Sequence, residues 1–310
     1  MKLIRGLHNL RPQHSSQVAT IGNFDGVHRG HQKVINKVIK RAQDRQQKST
    51  LICFEPLPRE YFLGEDAPAR LTPLRDKFYL LKKMGVDQLL VLDFNEKMAN
   101  MPATDFVKTV LVDGLQIKRL KVGDDFKFGL KREGNFELLE QMGRKHGFKV
   151  LNTHTLRDND DRVSSTLIRQ ALQLDDLERV AELLGRPFSM GGIVIHGDKR
   201  GRQLGFPTAN ISIARRVSPV RGVYAVEVHG IEKQALPAVA NIGTRPTVGG
   251  SGFLIEAHIF DFNGDIYGRR IEVILKQKIR EEKKFDGLDE LVAQIAHDKQ
   301  TAQHYFGMDA

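Results

Sequence analysis

Tryptophan is absent from this 310-residue chain, cysteine occurs once, and the aromatic residues make up only 7% of it. The lone Cys53 excludes an intrachain disulfide. Inside the apolar run Leu51–Phe54 it reads as a buried structural thiol, suited to a reducing cytoplasm. Few aromatics and dispersed basic residues argue against a nucleic-acid surface, which needs stacking rings among its Lys and Arg. No run of about 18 apolar residues occurs, and residues 1–16 hold no continuous apolar stretch, so neither a membrane span nor a secretion signal is expected. A GxxxxGK[ST] loop, a GxGxxG turn and a kinase HRD loop are also missing, so any phosphate chemistry must use another layout.

What is present points to a folded, two-domain chain. Hydrophobic residues are 40% and charged residues 28%, enough apolar material for real cores and too little bias for disorder. A length of 310 exceeds the usual single core. The 48 basic residues outnumber the 38 acidic ones, a formal charge of +10 that favours anionic ligands. With nucleic acid disfavoured, small phosphate compounds rank first.

From Val18 to about Thr153, β-branched runs at 18–21, 50–54, 88–94, 119–123 and 148–153 alternate with helix-period segments such as Val34, Ile35, Val38, Ile39 and Ala42. That is the pattern of a parallel sheet covered by helices. Asp175 or Asp176 caps a further helix that ends at Gly185, which places a domain boundary at 185/186. Beyond it, strands punctuated by Gly and Pro run through 191–197, 222–230, 236–243, 253–265 and 270–279, with Asn263-Gly264 as a hairpin signal. Leu288, Leu291, Val292 and Ile295 return to helical spacing. The expected class is α/β: a doubly wound parallel-sheet domain over 1–185, then an antiparallel β-barrel with a terminal helix over 186–310.

The first of those strands runs directly into Gly22-Asn23-Phe24-Asp25-Gly26-Val27-His28-Arg29-Gly30-His31 and a helix. Glycines at such a junction let a phosphate approach backbone amides, and the helix N-terminus adds partial positive charge. His28 and His31, three apart, can donate to one phosphate, or they can serve as capping histidines. Ser164-Ser165-Thr166-Leu167-Ile168-Arg169 opens a later helix, where the serines also suit N-capping.

His28-x-Gly30-His31 resembles the HxGH signature of the nucleotidyltransferase superfamily, and residues 164–169 resemble its SSTxIR signature. The resemblance implies that an acceptor phosphate attacks the α-phosphorus of ATP and pyrophosphate leaves, without a covalent enzyme intermediate. Gly22, Asn23, Phe24, Asp25 and Gly30 would cradle ATP. His28 and His31 would hold its phosphates and the developing charge, and Ser164, Ser165, Thr166 and Arg169 would grip the β- and γ-groups. Three strings, 54–58, 70–73 and 123–129, are similar to flavin-side segments of the bacterial bifunctional riboflavin kinase/FAD synthetase family. They imply flavin contacts at Phe54, Pro56, Pro58, Asp125 and Phe128. Lys127 stands where that family often has Arg, keeping the charge but not the planar fork.

In the second half, residues 196–210 combine glycines, basic residues, a hydroxyl and an amide, which suits either a nucleotide loop or a basic surface turn. The GRxLGFPTAN portion resembles the riboflavin kinase motif. It implies ATP contacts at Gly197, Gly201, Arg202, Gly205, Pro207, Thr208 and Asn210, with Thr208 and Asn210 also at Mg²⁺. Period-two alternation sets Glu256, His258 and Phe260 on one strand face. The resemblance makes Glu256 the base that takes a proton from the ribityl hydroxyl, and gives Arg245 and Arg280 flavin contacts.

The reading is therefore an enzyme that phosphorylates riboflavin to FMN in its C-terminal part and adenylylates FMN to FAD in its N-terminal part. Its partners would be riboflavin, FMN, FAD and ATP with Mg²⁺, without nucleic acid or membrane; nothing in the residues fixes an oligomeric state. Two alternatives stand beside it: an adenylyltransferase for another phosphate acceptor, and a flavin- or RNA-binding regulator without turnover.

Overall fold

Strands buried at nearly every position need cover on both faces, and Val18–Ile21, Ser49–Glu55 and Gln88–Asp93 have that character. The computed structural model describes residues 1–310 except 16, 124, 154–156, 159–160, 198–204, 214–216, 248–249 and 309–310, with backbone alone at 153, 157–158, 161–162, 245–247 and 250–252. It comprises two units, Met1–Pro68 with Leu74–Ser165, and Ala69–Pro73 with Thr166–Ala310.

In the first unit, strands β1 (Lys2–Arg5), β2 (Val18–Ile21), β3 (Ser49–Glu55), β4 (Gln88–Asp93), β5 (Arg119–Gly123) and β6 (Lys149–Thr153) form one parallel sheet in the order β1-β4-β3-β2-β5-β6. Alternate residues feed two cores. Ala19, Ile21, Ile52, Leu90 and Leu92 pack with Phe106, Val107, Val110 and Leu139 on one side, while Leu51, Cys53, Leu89 and Val91 pack with Ile35, Ile39 and Leu81 on the other. Each buried Val, Leu, Ile or Phe among them contributes roughly 1.5–3 kcal/mol. Cys53 is fully buried, as a structural thiol should be. In the helix Arg29–Gln43 the expected face holds: Ile35, Val38, Ile39 and Ala42 are buried. The strand order reverses between β2 and β5, so the crevice that doubly wound sheets use for ligands opens at their carboxyl ends.

Beyond the short pair β7 (Arg157–Asp158) and β8 (Asp161–Arg162), the second unit contains the helices Ser165–Gln173 and Leu177–Leu184. Asp176 caps the latter, its side chain accepting from Arg179 N, and Gly185 closes it in the left-handed conformation. Strands β9 (Ser189–Ile195), β10 (Ala209–Ser212), β11 (Gly222–His229), β12 (Leu236–Thr247), β13 (Gly250–Ile259) and β14 (Arg270–Arg280) close into an antiparallel barrel, β10-β13-β12-β11-β14-β9. The hairpin expected at Asn263-Gly264 does not form. β13 pairs with β10 and β12, and β14 with β11 and β9, so residues 260–269 join strands that are not neighbours. The helix Leu288–Tyr305 covers Val223, Ala225, Val239 and Phe260 through Ala302, while Leu288, expected on its apolar face, is exposed.

Candidate active sites

β2 ends at the crevice and hands the chain to a loop under strain. Phe24, Gly26 and Val27 have φ of +47°, +86° and +44°, a region that a β-branched residue enters only when its surroundings force it. The loop carbonyls are held from outside: Asn23 O accepts from Lys77 Nζ at 2.6 Å, Asp25 O from Ser165 Oγ at 2.8 Å, and Val27 O from Gln32 Nε2 at 2.8 Å.

Of the two histidines, His28 takes the capping role read from the sequence. His28 is the N-cap of the helix Arg29–Gln43, its Nδ1 accepting from His31 N at 3.3 Å, and its ring stacks on that of His31 with centroids 3.6 Å apart. Phe24 meets the His31 ring edge-on at 5.3 Å. Gly30 is glycine because the His28 ring folds over it: a Cβ there would lie 3.0 Å from the ring. His28, Phe24 and Asp25 are buried, and Asn23 faces solvent. The arrangement can present a positive helix end and paired imidazoles to an anion. Ser164 and Ser165 belong to the first unit; Thr166 and Arg169 belong to the second, where Arg169 Nε donates to Ala69 O at 2.6 Å.

The strings at the ends of β3 and β5 converge on an aromatic cluster. Phe54 meets Phe94 edge-on at 5.6 Å and lies 6.4 Å from Phe106; Phe128 is 5.6 Å from Phe106 and stacks with Phe126 at 5.5 Å. Tyr61 and Phe62 extend the cluster through Phe94, and Phe62 is 65% exposed. An exposed ring beside buried ones can stack on a flat ligand. Tyr61, Phe62, Phe94 and Phe106 went unnoticed in the sequence because nothing in their spacing marks them. Pro56 and Asp125 are exposed, Pro58 is half-buried, and a Cβ on Gly123 would meet Asp125 Oδ1 at 2.8 Å.

In the barrel, β10 lies beside β13 with Asn210 opposite Glu256, and β12 places Asn241 opposite Glu256 on the other side. Phe253, Ile255 and Ala257 are buried while Leu254, Glu256 and His258 are half-buried, so Glu256 and His258 share the second face. His258 Nδ1 donates to Pro207 O at 2.8 Å, tying the end of the 205–208 turn to β13. Burial holds the His258 imidazole below its ordinary range, helped by Lys299 and opposed by the Pro207 carbonyl. Asn210 is 7% exposed, and its Oδ1 is buried without a hydrogen-bond partner among the described residues. A buried amide oxygen is one of the ligand types that a hard divalent cation accepts. No cluster of three His, Cys, Asp or Glu fit for a metal occurs among the described residues.

Gly197 lies against the Asn210 carboxamide and Gly205 is exposed, whereas Gly201 and Arg202, and the side chain of Arg245, lie outside the described residues. Arg280 is engaged elsewhere: its Nε and Nη2 grip the carboxylate of Asp298 at 2.7–3.0 Å, and Gln294 Nε2 adds a bond at 2.9 Å. Among the described residues no helix is long and apolar enough to cross a membrane.

Two family models match the chain: FAD synthetase over residues 10–167 and riboflavin kinase over 184–306. The bifunctional riboflavin kinase/FMN adenylyltransferase of Escherichia coli (strain K12) is 50% identical over 310 residues, covering 99% of both chains. Its counterpart from Haemophilus influenzae is 46% identical, with 99% of each covered. A crystal structure described as a macrolide-efflux protein from Streptococcus pneumoniae has a TM-score of 0.80 and 31% identity, over 98% of this chain and 99% of that one.

Proposed function

Since the chain belongs to the bifunctional riboflavin kinase/FMN adenylyltransferase family, we propose that its two reactions are divided at 185/186. The enzyme phosphorylates riboflavin to FMN and adenylylates FMN to FAD, using ATP with a divalent metal. Residues 186–310 perform the first reaction and residues 1–185 the second; the ion is Mg²⁺, and the setting is the cytoplasm.

In the barrel, Glu256 takes the proton of the ribityl hydroxyl as it attacks the γ-phosphorus of ATP, and ADP leaves. Thr208 and Asn210 would hold Mg²⁺, which offsets charge on the phosphates when bound. Gly197, Gly205 and Pro207 shape the backbone beside the nucleotide, and His258 fixes Pro207. Gly201, Arg202, Arg245 and Arg280 keep roles that rest on the family resemblance; for Arg280 the Asp298 pair favours a supporting part.

Within residues 1–185, the FMN phosphate attacks the α-phosphorus of ATP and pyrophosphate departs. The Gly22–Asp25 loop, Gly30, His28 and His31 receive the phosphates, and the transition state gains from donors already in place. Ser165 secures the loop at Asp25, with Ser164, Thr166 and Arg169 completing the signature. The aromatic cluster around Phe54 and Phe128, with Pro56, Pro58 and Asp125, holds the isoalloxazine.

The observation that supports this reading most is Asn210, set opposite Glu256 in the barrel with its Oδ1 buried and unpartnered among the described residues. The test is to incubate the purified chain with riboflavin, ATP and Mg²⁺ and separate the flavins over time. FMN should appear first and FAD after it. FMN alone would remove the adenylyl-transfer assignment, and unchanged riboflavin beside conversion of supplied FMN to FAD would remove the kinase assignment.

A further inference from the structure

Fully buried lysines are rare because the ammonium gives up its hydration. Lys77, in the helix Leu74–Lys83, is 0% exposed. Its Nζ makes a 2.6 Å hydrogen bond to the carbonyl of Asn23, and no carboxylate among the described residues pairs with it. That carbonyl opens the strained loop between β2 and the first helix. Three alternate carbonyls of the loop, at 23, 25 and 27, are each held by a side chain from outside it. Two of those donors, Ser165 and Gln32, are neutral and half-buried. Lys77 alone is cationic and sealed from water.

We propose that Lys77 is a positioning residue for adenylyl transfer, an inference that rests on the function proposed above. Its bond to Asn23 holds the loop in the shape that receives the nucleotide phosphates, keeping Phe24, Gly26 and Val27 in the left-handed region without help from substrate. Its charge, buried behind the loop and without a carboxylate partner among the described residues, is complemented by the triphosphate and by the pyrophosphate that leaves. The interaction acts through the loop, so Lys77 itself need not touch ATP.

The test is Lys77→Met, which keeps the apolar stem and removes the bond and the charge, in the full-length chain with FMN, ATP and Mg²⁺. We expect kcat/KM for ATP in FAD formation to fall roughly 10- to 100-fold, the range of one hydrogen bond to a charged group. KM for FMN should stay within about twofold, and riboflavin phosphorylation by the same preparation should not change. Lys77→Gln, a neutral donor of shorter reach, should fall between. Equal FAD formation by parent and Lys77→Met would overturn the proposal and leave the proposed function standing. A parent unable to make FAD from FMN would overturn both. If Lys77→Met melts early, hydrogen exchange in Lys77→Gln decides. Faster exchange confined to residues 22–28 supports the strap, whereas faster exchange throughout the first unit makes Lys77 an ordinary core residue and ends the proposal.

Discussion

Replacing Gly197 with alanine should disable riboflavin phosphorylation while leaving the fold intact. A Cβ at Gly197 would stand 2.3 Å from Asn210 Nδ2, 2.7 Å from its Cγ and 2.9 Å from its Oδ1. Contact between heavy atoms needs about 3.5 Å, so the carboxamide must retreat by about 1 Å. Gly197 is not in the left-handed region, so alanine meets no backbone penalty, and what gives way is the end of a flexible side chain. The stability cost is therefore small, about 1 kcal/mol or less. Catalysis is less forgiving, because a displacement of about 1 Å in a positioning group can cost ~10²-fold in rate. The assay is the initial rate of FMN formation from riboflavin, with FAD formation from supplied FMN as the control in the same tube. Gly197→Ala should lose about two orders of magnitude in the first and nothing in the second. Asn210→Ala should fall to a similar level, and the double variant no further, because both changes remove one interaction. FMN formation within threefold of the parent, or a double variant showing the product of the two losses, would refute Asn210 as the group through which Gly197 acts.

Glu256→Gln should lower FMN formation by roughly 10²–10⁴-fold and spare conversion of FMN to FAD, and His28→Ala should do the reverse; loss of both activities in either variant would contradict separate sites. Asp298→Ala strands Arg280, whose partner carboxylate is 5% exposed, and should cost about 3 kcal/mol, seen as earlier melting of the barrel; an unchanged melt would show the pair to be inert. Acidification should also destabilise the chain. Burial, with Lys2, Lys48 and Arg11, holds His14 below the ordinary imidazole value, and burial with Lys299 does so for His258. Below about pH 6.5 the unfolded chain binds protons that the fold refuses, so stability is full above that pH and declines beneath it. Thermal melts at about pH 7.5 and 5.5 should show the decline, and His258→Asn should flatten it; an equal slope in the variant would exclude His258 as a source.

Periodic patterns were legible because burial enforces them. Ile35, Val38, Ile39 and Ala42 face the core since nothing else could, and the runs at 18–21 and 119–123 are strands at those residues. β1 escaped notice because only Ile4 of its four residues is buried, leaving no apolar run to read. β10 was hidden inside a motif taken as a loop, yet it is the strand that carries Asn210 to Glu256. Asn263-Gly264 misled because a turn sequence fixes a local bend, whereas strand pairing depends on the closure of the whole barrel. Among site residues, His28 and Gly30 could be read from one short string, since ring and glycine fit each other locally. Lys77 and the rings of Phe94 and Phe106 meet those loops only through the tertiary fold, from far along the chain.

The closed order of the barrel bears on how the protein behaves while crowded or newly made. With β9 bonded to β10, that ladder has no open row of amides and carbonyls to recruit a second molecule. The parallel sheet does end, at β1 and β6, and those rims carry Lys2, Arg5 and Lys149. Lysine and arginine on a sheet's outer strand repel an approaching copy of the same strand, so resistance to aggregation comes from topology in one unit and from charge in the other.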